Sequence, residues 1–514
     1  MKNWKSRCSA AVIPTIVVTL LFFLNYFVFG AENTMIGPFA TLAFLRFRGI
    51  SNHYECMFKT WLIFLGMAVL AFFACMNLPL CILVNALALF WLAYLLIDEY
   101  NPTNYFPYGM ALIFFQISPV STWSALGNRL LALSVSLLII FLFVIVLSLL
   151  NKDKNPICSY IREGLAVCGK QLDAYEEQDS SQLEKLHGKL CALNRKISDE
   201  IYMYNRASIR LAAKINWYCR YVVLFQVINH FTAQPWNEAD FARISSIYEK
   251  FSSQFEEKKP APDYRRLKFR NEKPSVHAFR FRFALRLVIV VTPCMAFAFL
   301  SPWENSYWLV ISVFFMMIPV YENTKKRIRE RMQGTIFGIL LCAVLFSIFR
   351  QFPGRVAVMT AANFLIYASN SYSSMVAFIT CSALAIQTID TAVGGILLER
   401  IFYTIIGAVI AFLANRFVFP IHTAVEMKHL MERLDGIQEE LHGIDGRNFS
   451  CPDERRHRID ELIIKSYLLM QRLQTYYESL PKEEQTGAFR EYEKAYMRFM
   501  GEYLMEHLSE DAAE

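Results

Sequence analysis

Charged and amide side chains stand at the edges of long apolar runs in this chain, and their types and spacing suit the handling of an anion. Arg129 and Arg400 each lie at the mouth of such a run. A guanidinium can hold a carboxylate through two parallel hydrogen bonds, so this pair is the first candidate for substrate contact. The same positions also suit anchors that snorkel to a membrane surface. Arg46 and Arg48 close a shorter apolar run, and Lys325, Lys326, Arg327, Arg329 and Arg331 form a basic cluster. Both sets can draw an anion in, and both are also what the cytoplasmic loops of a membrane protein carry. Gln116, Gln387 and Asn305 can hydrogen-bond a substrate or a neighbouring helix. Glu32, Glu304, Asp390 and Glu399 are proton-coupling candidates or, equally, solvated turn residues. Gly334 and Gly338 form GTIFG, a spacing for close helix packing.

Other chemistries are not encoded. There is no GxxxxGK[ST], no GxSxG and no HExxH, so neither an on-chain ATPase nor a hydrolase is expected. The 12 cysteines are scattered singly, without CxxC or a zinc-type Cys/His spacing. No disulfide framework, metal, cofactor or enzyme activity is expected. The net charge of +7 comes from Lys and Arg beside the apolar runs, which argues for membrane topology rather than nucleic-acid binding.

The elements that must position these residues are helices in a bilayer. The chain has 514 residues, 55% of them hydrophobic, yet the charges are segregated. Residues 8–31, 60–97, 130–150 and 356–389 carry no charge at all. A run of about 20 apolar residues crosses the hydrocarbon core as a helix, and several runs exceed that length. The N-terminal run follows Lys2, Lys5 and Arg7 and is too long for the core of a signal peptide, so it reads as a retained first span. The expected class is an all-α polytopic membrane protein. Six spans fall in 1–150 and six in 282–420, with polar helical regions over 151–281 and 421–514. Leu183, Leu186, Leu190, Leu193 and Ile197 recur every three or four residues, as do Leu430, Leu434, Ile437, Leu441 and Ile444. Each set is the seam of a packed helix. Residues 258–270 form a basic, Pro-containing linker that suits anionic headgroups or marks topology. The charge distribution places both termini, both polar regions and the basic loops in the cytoplasm of a multi-pass cell-membrane protein.

The two apolar halves look like copies. Glu32-Asn33 and Glu304-Asn305 are 272 positions apart, as are Gly66 and Gly338; Gln116 and Gln387, and Arg129 and Arg400, are 271 apart. An even number of spans per copy makes the repeats parallel, with a transport path expected between them.

Tyr307-Trp308, Pro319, Thr324, Arg327, Arg331 and Gly334-Thr335-x-x-Gly338 resemble the core signature of the fusaric-acid-resistance family, which includes the aromatic acid exporters. Arg400, Gly407, Ala411 and Pro420 resemble that family's last span. The first half departs from the signature, with Leu62-Ile63 where Gly334-Thr335 would align. The resemblance implies a gradient-driven exporter of small organic, often aromatic, anions. Its expected partners are membrane lipids, the anion, and either further copies of the chain or an accessory export subunit. An anion channel of the same architecture and a non-conducting scaffold that recruits partners through its cytosolic helices are the alternatives.

Overall fold

The computed structural model describes residues 2–47, 53–97, 104–150, 156–207, 215–256, 279–303, 305–318, 321–387, 393–444, 452–480, 483, 485 and 487–511. In chain order the helices are α1 (Lys2–Leu24), α2 (Ile36–Phe47), α3 (His53–Ala74), α4 (Leu78–Leu96), α5 (Phe106–Ile117) and α6 (Trp123–Leu150). Next come α7 (Pro156–Glu176), α8 (Ser180–Ala207), α9 (Ile215–Phe231) and α10 (Glu238–Glu256). Then follow α11 (Phe279–Leu300), α12 (Tyr307–Met316), α13 (Tyr321–Ile348), α14 (Phe352–Ala368), α15 (Tyr372–Gln387) and α16 (Val393–Phe417). The last three are α17 (Thr423–His442), α18 (Pro452–Ser479) and α19 (Gly487–Asp511). They form two compact units, an apolar one holding α1–α6 and α11–α16 and a polar one holding the rest.

The apolar unit turns its hydrophobic side chains outward as well as inward. On α4, Leu83, Leu87, Trp91 and Leu95 are about half exposed, at a spacing of four. Leu138, Leu142 and Val146 on α6, and Leu340, Val344 and Ile348 on α13, make similar stripes. A helix apolar all round is one whose outer face meets lipid. Among the described residues seven helices are long and apolar enough to cross a membrane. This is a multi-pass membrane protein. Of the other five helices of the unit, α14 and α15 have 17 and 16 residues, whereas α2, α5 and α12 are shorter than the expected spans, with 12, 12 and 10 residues. At 1.5 Å per residue each is about 15–18 Å long, well short of the hydrocarbon thickness. These short helices occupy the middle of the unit. Trp308 to Phe314 of α12, and Tyr108 to Ile113 of α5, are buried without a break. Their apolar ends meet where Phe106 stacks on Phe314 at 5.2 Å.

The halves are cross-linked reciprocally. The first helix of each packs on the fourth helix of the other, α1 on α14 and α11 on α4. Phe90 meets Phe281 edge-on at 5.7 Å, and Arg280 lies over the Tyr94 ring at 5.6 Å. Long and short helices follow one another in nearly the same order in both halves.

In the polar unit both leucine seams are used in a single body. Leu190, Leu193 and Ile197 are buried, as are all five residues of the Leu430–Ile444 seam. Helices α18 and α19 pack on α8 and α9. Gln471 donates to Asp199 at 2.8 Å, and Arg195 pairs with Glu493 at 3.4 Å. The two polar stretches therefore lie on one side of any membrane, whatever the chain does between them.

One expectation needs correction. The basic cluster Lys325–Arg331, expected in a cytoplasmic loop, sits inside α13. Lys, Arg, Glu, Met and Gln are good helix formers, so α13 runs unbroken from its basic first turns into the apolar core. The linker 258–270 lies outside the described residues.

Candidate anion site

Arg129 and Arg400 are each only 1% exposed. Neither is a snorkelling anchor at a helix end, because α6 begins at Trp123 and α16 at Val393, more than a turn earlier. Their surroundings differ.

Around Arg129 every direction is occupied. Its Nε donates to Asn33 Oδ1 at 3.0 Å and its Nη1 to the Phe115 carbonyl at 3.0 Å. Its Nη2 donates to the carbonyls of Glu32 and Ser118, at 3.0 and 2.6 Å. The turn that presents these acceptors is itself fixed. Asn33 and Asn128 each donate to the Phe29 carbonyl at 2.8 Å, and Gly30 turns the chain with φ +93°, a conformation suited to glycine. Gln116 is also committed: it exchanges two hydrogen bonds of 2.8 Å with Asn85. Arg129 is thus a clasp joining the entry to α2 with the end of α5. The Glu32 side chain is exposed.

Around Arg400 no corresponding acceptor is found among the described residues, the counterparts of Glu32 and Ser118 lying outside them. Its Nε and Nη1 are buried with no hydrogen-bond partner. Asn305, the counterpart of Asn33, donates instead to Glu399 at 2.6 Å. Glu399 stands where the first half has Asn128, 271 positions earlier, so one substitution between the halves diverts the amide from the arginine. What Arg400 has is the face of Trp308, 3.6 Å from its Cζ. Two further arginines come from α13. Arg331 is 1% exposed and lies over Phe315 at 4.7 Å, with Nη1 donating to the Tyr372 hydroxyl at 3.4 Å. Arg327, half-buried, lies over the Tyr372 ring at 3.3 Å and donates to the Phe315 carbonyl at 3.4 Å. Arg331 and Arg400 are close enough to repel electrostatically.

The walls are set by close packing. A Cβ at Gly338 would come within 2.6 Å of the Ala377 carbonyl, and one at Gly334 within 2.8 Å of Val376 Cβ. GTIFG therefore brings α13 against α15, which carries Tyr372. Gly407 does the same for α16 against Ser312 of α12, with 2.7 Å to Ser312 Cβ.

Besides Arg400 Nε and Nη1, the buried atoms without partners include Arg331 Nε, Trp308 Nε1, Ser312 Oγ and Thr335 Oγ1. All can donate, and among the described residues no carboxylate pairs with these arginines. Buried donors are ordinarily satisfied, and a buried cation is costly unless paired. A set of donors with no acceptor is the arrangement that an anion completes. Guanidinium planes resting on aromatic faces keep the cations in place without consuming their in-plane donors.

Of the other sequence candidates, Arg48, Glu304 and Asp390 lie outside the described residues, as do the side chains of Arg46 and Gln387. Sequence reasoning treated Arg327 and Arg331 as a topology anchor or a cytoplasmic mouth and did not foresee their aromatic partners. A signal existed: at the 272 offset, Trp308, Ser312, Phe315 and Thr335 correspond to Ile36, Ala40, Ala43 and Ile63. Polar and aromatic residues at positions that are aliphatic in the other half mark the half that has a site.

Residues 293–414 match the family described as fusaric acid resistance protein-like. The resemblance seen in the signature is thereby shown for this segment, which holds Trp308, Arg327, Arg331, Tyr372 and Arg400 and not Arg129. The chain is 30% identical over 187 residues to an uncharacterized protein of Haemophilus influenzae, covering 35% of this chain and 26% of that protein. It is 26% identical over 178 residues to inner membrane protein YccS of Escherichia coli K12, covering 32% and 25%. With uncharacterized protein ORF2 of Neisseria gonorrhoeae it shares 27% identity over 143 residues, covering 27% and 34%. The chain thus spans about a quarter to a third of the length of the curated relatives it matches. No solved structure matches it.

Proposed function

We propose that this protein carries small organic anions across the membrane, and that the anion is held at Arg400 with Arg331 and Arg327. The observation that carries this reading is the buried Arg400 guanidinium, whose Nε and Nη1 meet no acceptor in a cluster that has no paired carboxylate among the described residues. A transported anion supplies the missing acceptors and leaves again, whereas a built-in carboxylate would hold the site shut. Exposure grades along α13 from Lys325 and Lys326, exposed, through Arg327, half-buried, to Arg331, buried, so an anion approaching from this end meets cations in sequence. The match of residues 293–414 to the family described as fusaric acid resistance protein-like supports export as the direction. Both termini and the polar unit are assigned to the cytoplasm by the charge distribution. Two copies of one bundle facing the same way would expose the site alternately, with an ion gradient as the energy source.

The test is efflux from proteoliposomes loaded with a radiolabelled aromatic carboxylate. Export that rises with an imposed proton gradient and is lost in Arg400→Gln is the expected result. Ohmic currents without coupling would assign the fold to a channel. Flux unchanged in Arg400→Gln would remove this site from the transport path.

A further inference from the structure

Resting on the anion reading of this site, we infer that its ligand carries two negative charges rather than one. The argument is a count of charge and of donors. Three guanidiniums belong to the cluster, and they do not share one environment. Arg327 is half-buried, is in the field of Glu330 on its own helix, and has both an aromatic face and a carbonyl acceptor. Arg331 and Arg400 are each 1% exposed, repel one another, and retain bare donors. The nearest carboxylate on α16, Glu399, is exposed and occupied by Asn305. Among the described residues, two buried positive charges are therefore left without a counter-charge. A monoanion would leave one of them bare in a low-dielectric interior, where an unpaired cation is strongly disfavoured. A dianion neutralises both.

The donor count agrees. Arg400 Nε and Nη1, Arg331 Nε, Trp308 Nε1, Ser312 Oγ and Thr335 Oγ1 are six donors without partners. One carboxylate has two oxygens and accepts about four hydrogen bonds, so a single carboxylate cannot satisfy six. Two carboxylates, or a phosphate ester, can. Ser312 and Thr335 each lie one helical turn beyond an aromatic or arginine member of the cluster, Trp308 on α12 and Arg331 on α13. On this reading these neutral donors are assigned to the second acidic group.

A doubly charged oxyanion could also be the head of an acidic lipid, and the experiment separates the two. The purified full chain is placed in nanodiscs of zwitterionic lipid, and calorimetry is run with benzoate and with phthalate. These probes share a ring and differ by one carboxylate. Phthalate is expected to bind at least about tenfold more tightly, a difference of about 1.4 kcal/mol. Arg331→Gln should reduce that preference to about threefold or less, while Arg331→Lys, which keeps the charge, retains most of it. Arg400→Gln should weaken binding of both by about ten- to a hundredfold. Equal affinities for benzoate and phthalate in the unaltered protein would overturn the two-charge inference and leave the anion site standing. Failure of either probe to bind, with no change in Arg400→Gln, would overturn the site itself. Loss of phthalate binding in nanodiscs containing phosphatidic acid, whose phosphomonoester head is a dianion, with recovery in zwitterionic lipid, would assign the cluster to a lipid headgroup and overturn the soluble dianion.

Discussion

Arg129 and Arg400 occupy matching positions in two halves that place long and short helices in nearly the same order. In the first half four acceptors close on the guanidinium, and three of them are backbone carbonyls of the breaks around α2 and α5. In the second half the amide that should close on it is held by Glu399, and aromatic rings take the space. The same buried cation is a structural clasp in one copy and an incomplete site in the other. Under the proposed function, one half keeps the fold while the other gives up bonds to bind a ligand. An arginine's burial alone therefore says little; the acceptors around it decide its role.

The sharpest way to break this comparison is to remove each arginine in turn. Arg129→Gln strands buried acceptors on Glu32, Phe115 and Ser118. A stranded buried polar group costs about 1–3 kcal/mol, so a loss of about 3 kcal/mol or more is expected. It should appear as poor recovery of monodisperse protein and a clear fall in thermal midpoint. Arg400→Gln removes a buried cation whose Nε and Nη1 meet no acceptor and loses only its stack on Trp308, so its midpoint should change far less than that of Arg129→Gln. Anion binding should instead fall by about ten- to a hundredfold, the range for a charge-assisted hydrogen bond. If both variants lose stability equally, the two arginines are equivalent and the comparison fails.

The glycines offer a second contrast. A Cβ at Gly338 meets the Ala377 carbonyl, whereas one at Gly66, its counterpart by offset, meets nothing within 4 Å. Gly338→Val should destabilise by about 1–3 kcal/mol through forced separation of α13 and α15. Gly66→Ala should be neutral or stabilise by up to about 1 kcal/mol, since alanine is the better helix former. Thermal melts of the two variants in one detergent check the sign of the difference.

A smaller effect tests how the halves diverged. Glu399→Asn installs the residue that the first half carries at position 128 and releases Asn305 from its carboxylate. Asn305 can then turn to Arg400 as Asn33 bonds Arg129. Anion affinity should fall by about three- to tenfold, because a built-in acceptor now competes with the ligand at about 0.5–1.5 kcal/mol. Unchanged affinity would show that Asn305 cannot reach Arg400.

What could be read in the sequence follows from which interactions are local or repeated. Long apolar runs gave the membrane class, and constant offsets gave the matching arginines, because both signals lie within one segment or recur in two. The seams at Leu183–Ile197 and Leu430–Ile444 were visible as helix faces, but not that they share one body, since pairing across more than 200 residues leaves no local trace. The lengths of α2, α5 and α12 were harder to read. Their residues are as apolar as those of true spans, and only turn geometry such as Gly30 at φ +93° shortens them. The Trp308–Arg400 and Tyr372–Arg327 stacks were out of reach for the same reason as the seam pairing: they depend on helix register.

The smallest expected effect separates the arginine cluster from the polar unit by pH. Guanidinium groups do not titrate between pH 5 and 8, so the cluster itself should bind a fully ionised anion equally well across that range. Glu200 on α8 is different. Burial first, and the neighbouring Asp199 second, push its carboxyl up to about 7. Below about pH 4.5 the folded and unfolded chains both hold the proton. Between there and about pH 7 only the folded chain keeps it, so stability of the polar unit falls as pH rises and then levels off. Allowing for the carboxyl's partial exposure, the loss is about 1 kcal/mol. Glu200→Gln should therefore slow hydrogen exchange in α8 relative to the unaltered protein at pH 8 and match it near pH 4.5, with dianion affinity unaffected at either pH. A Glu200→Gln variant that changed dianion affinity would mean that the polar unit, and not the arginine cluster alone, sets how the ligand is held.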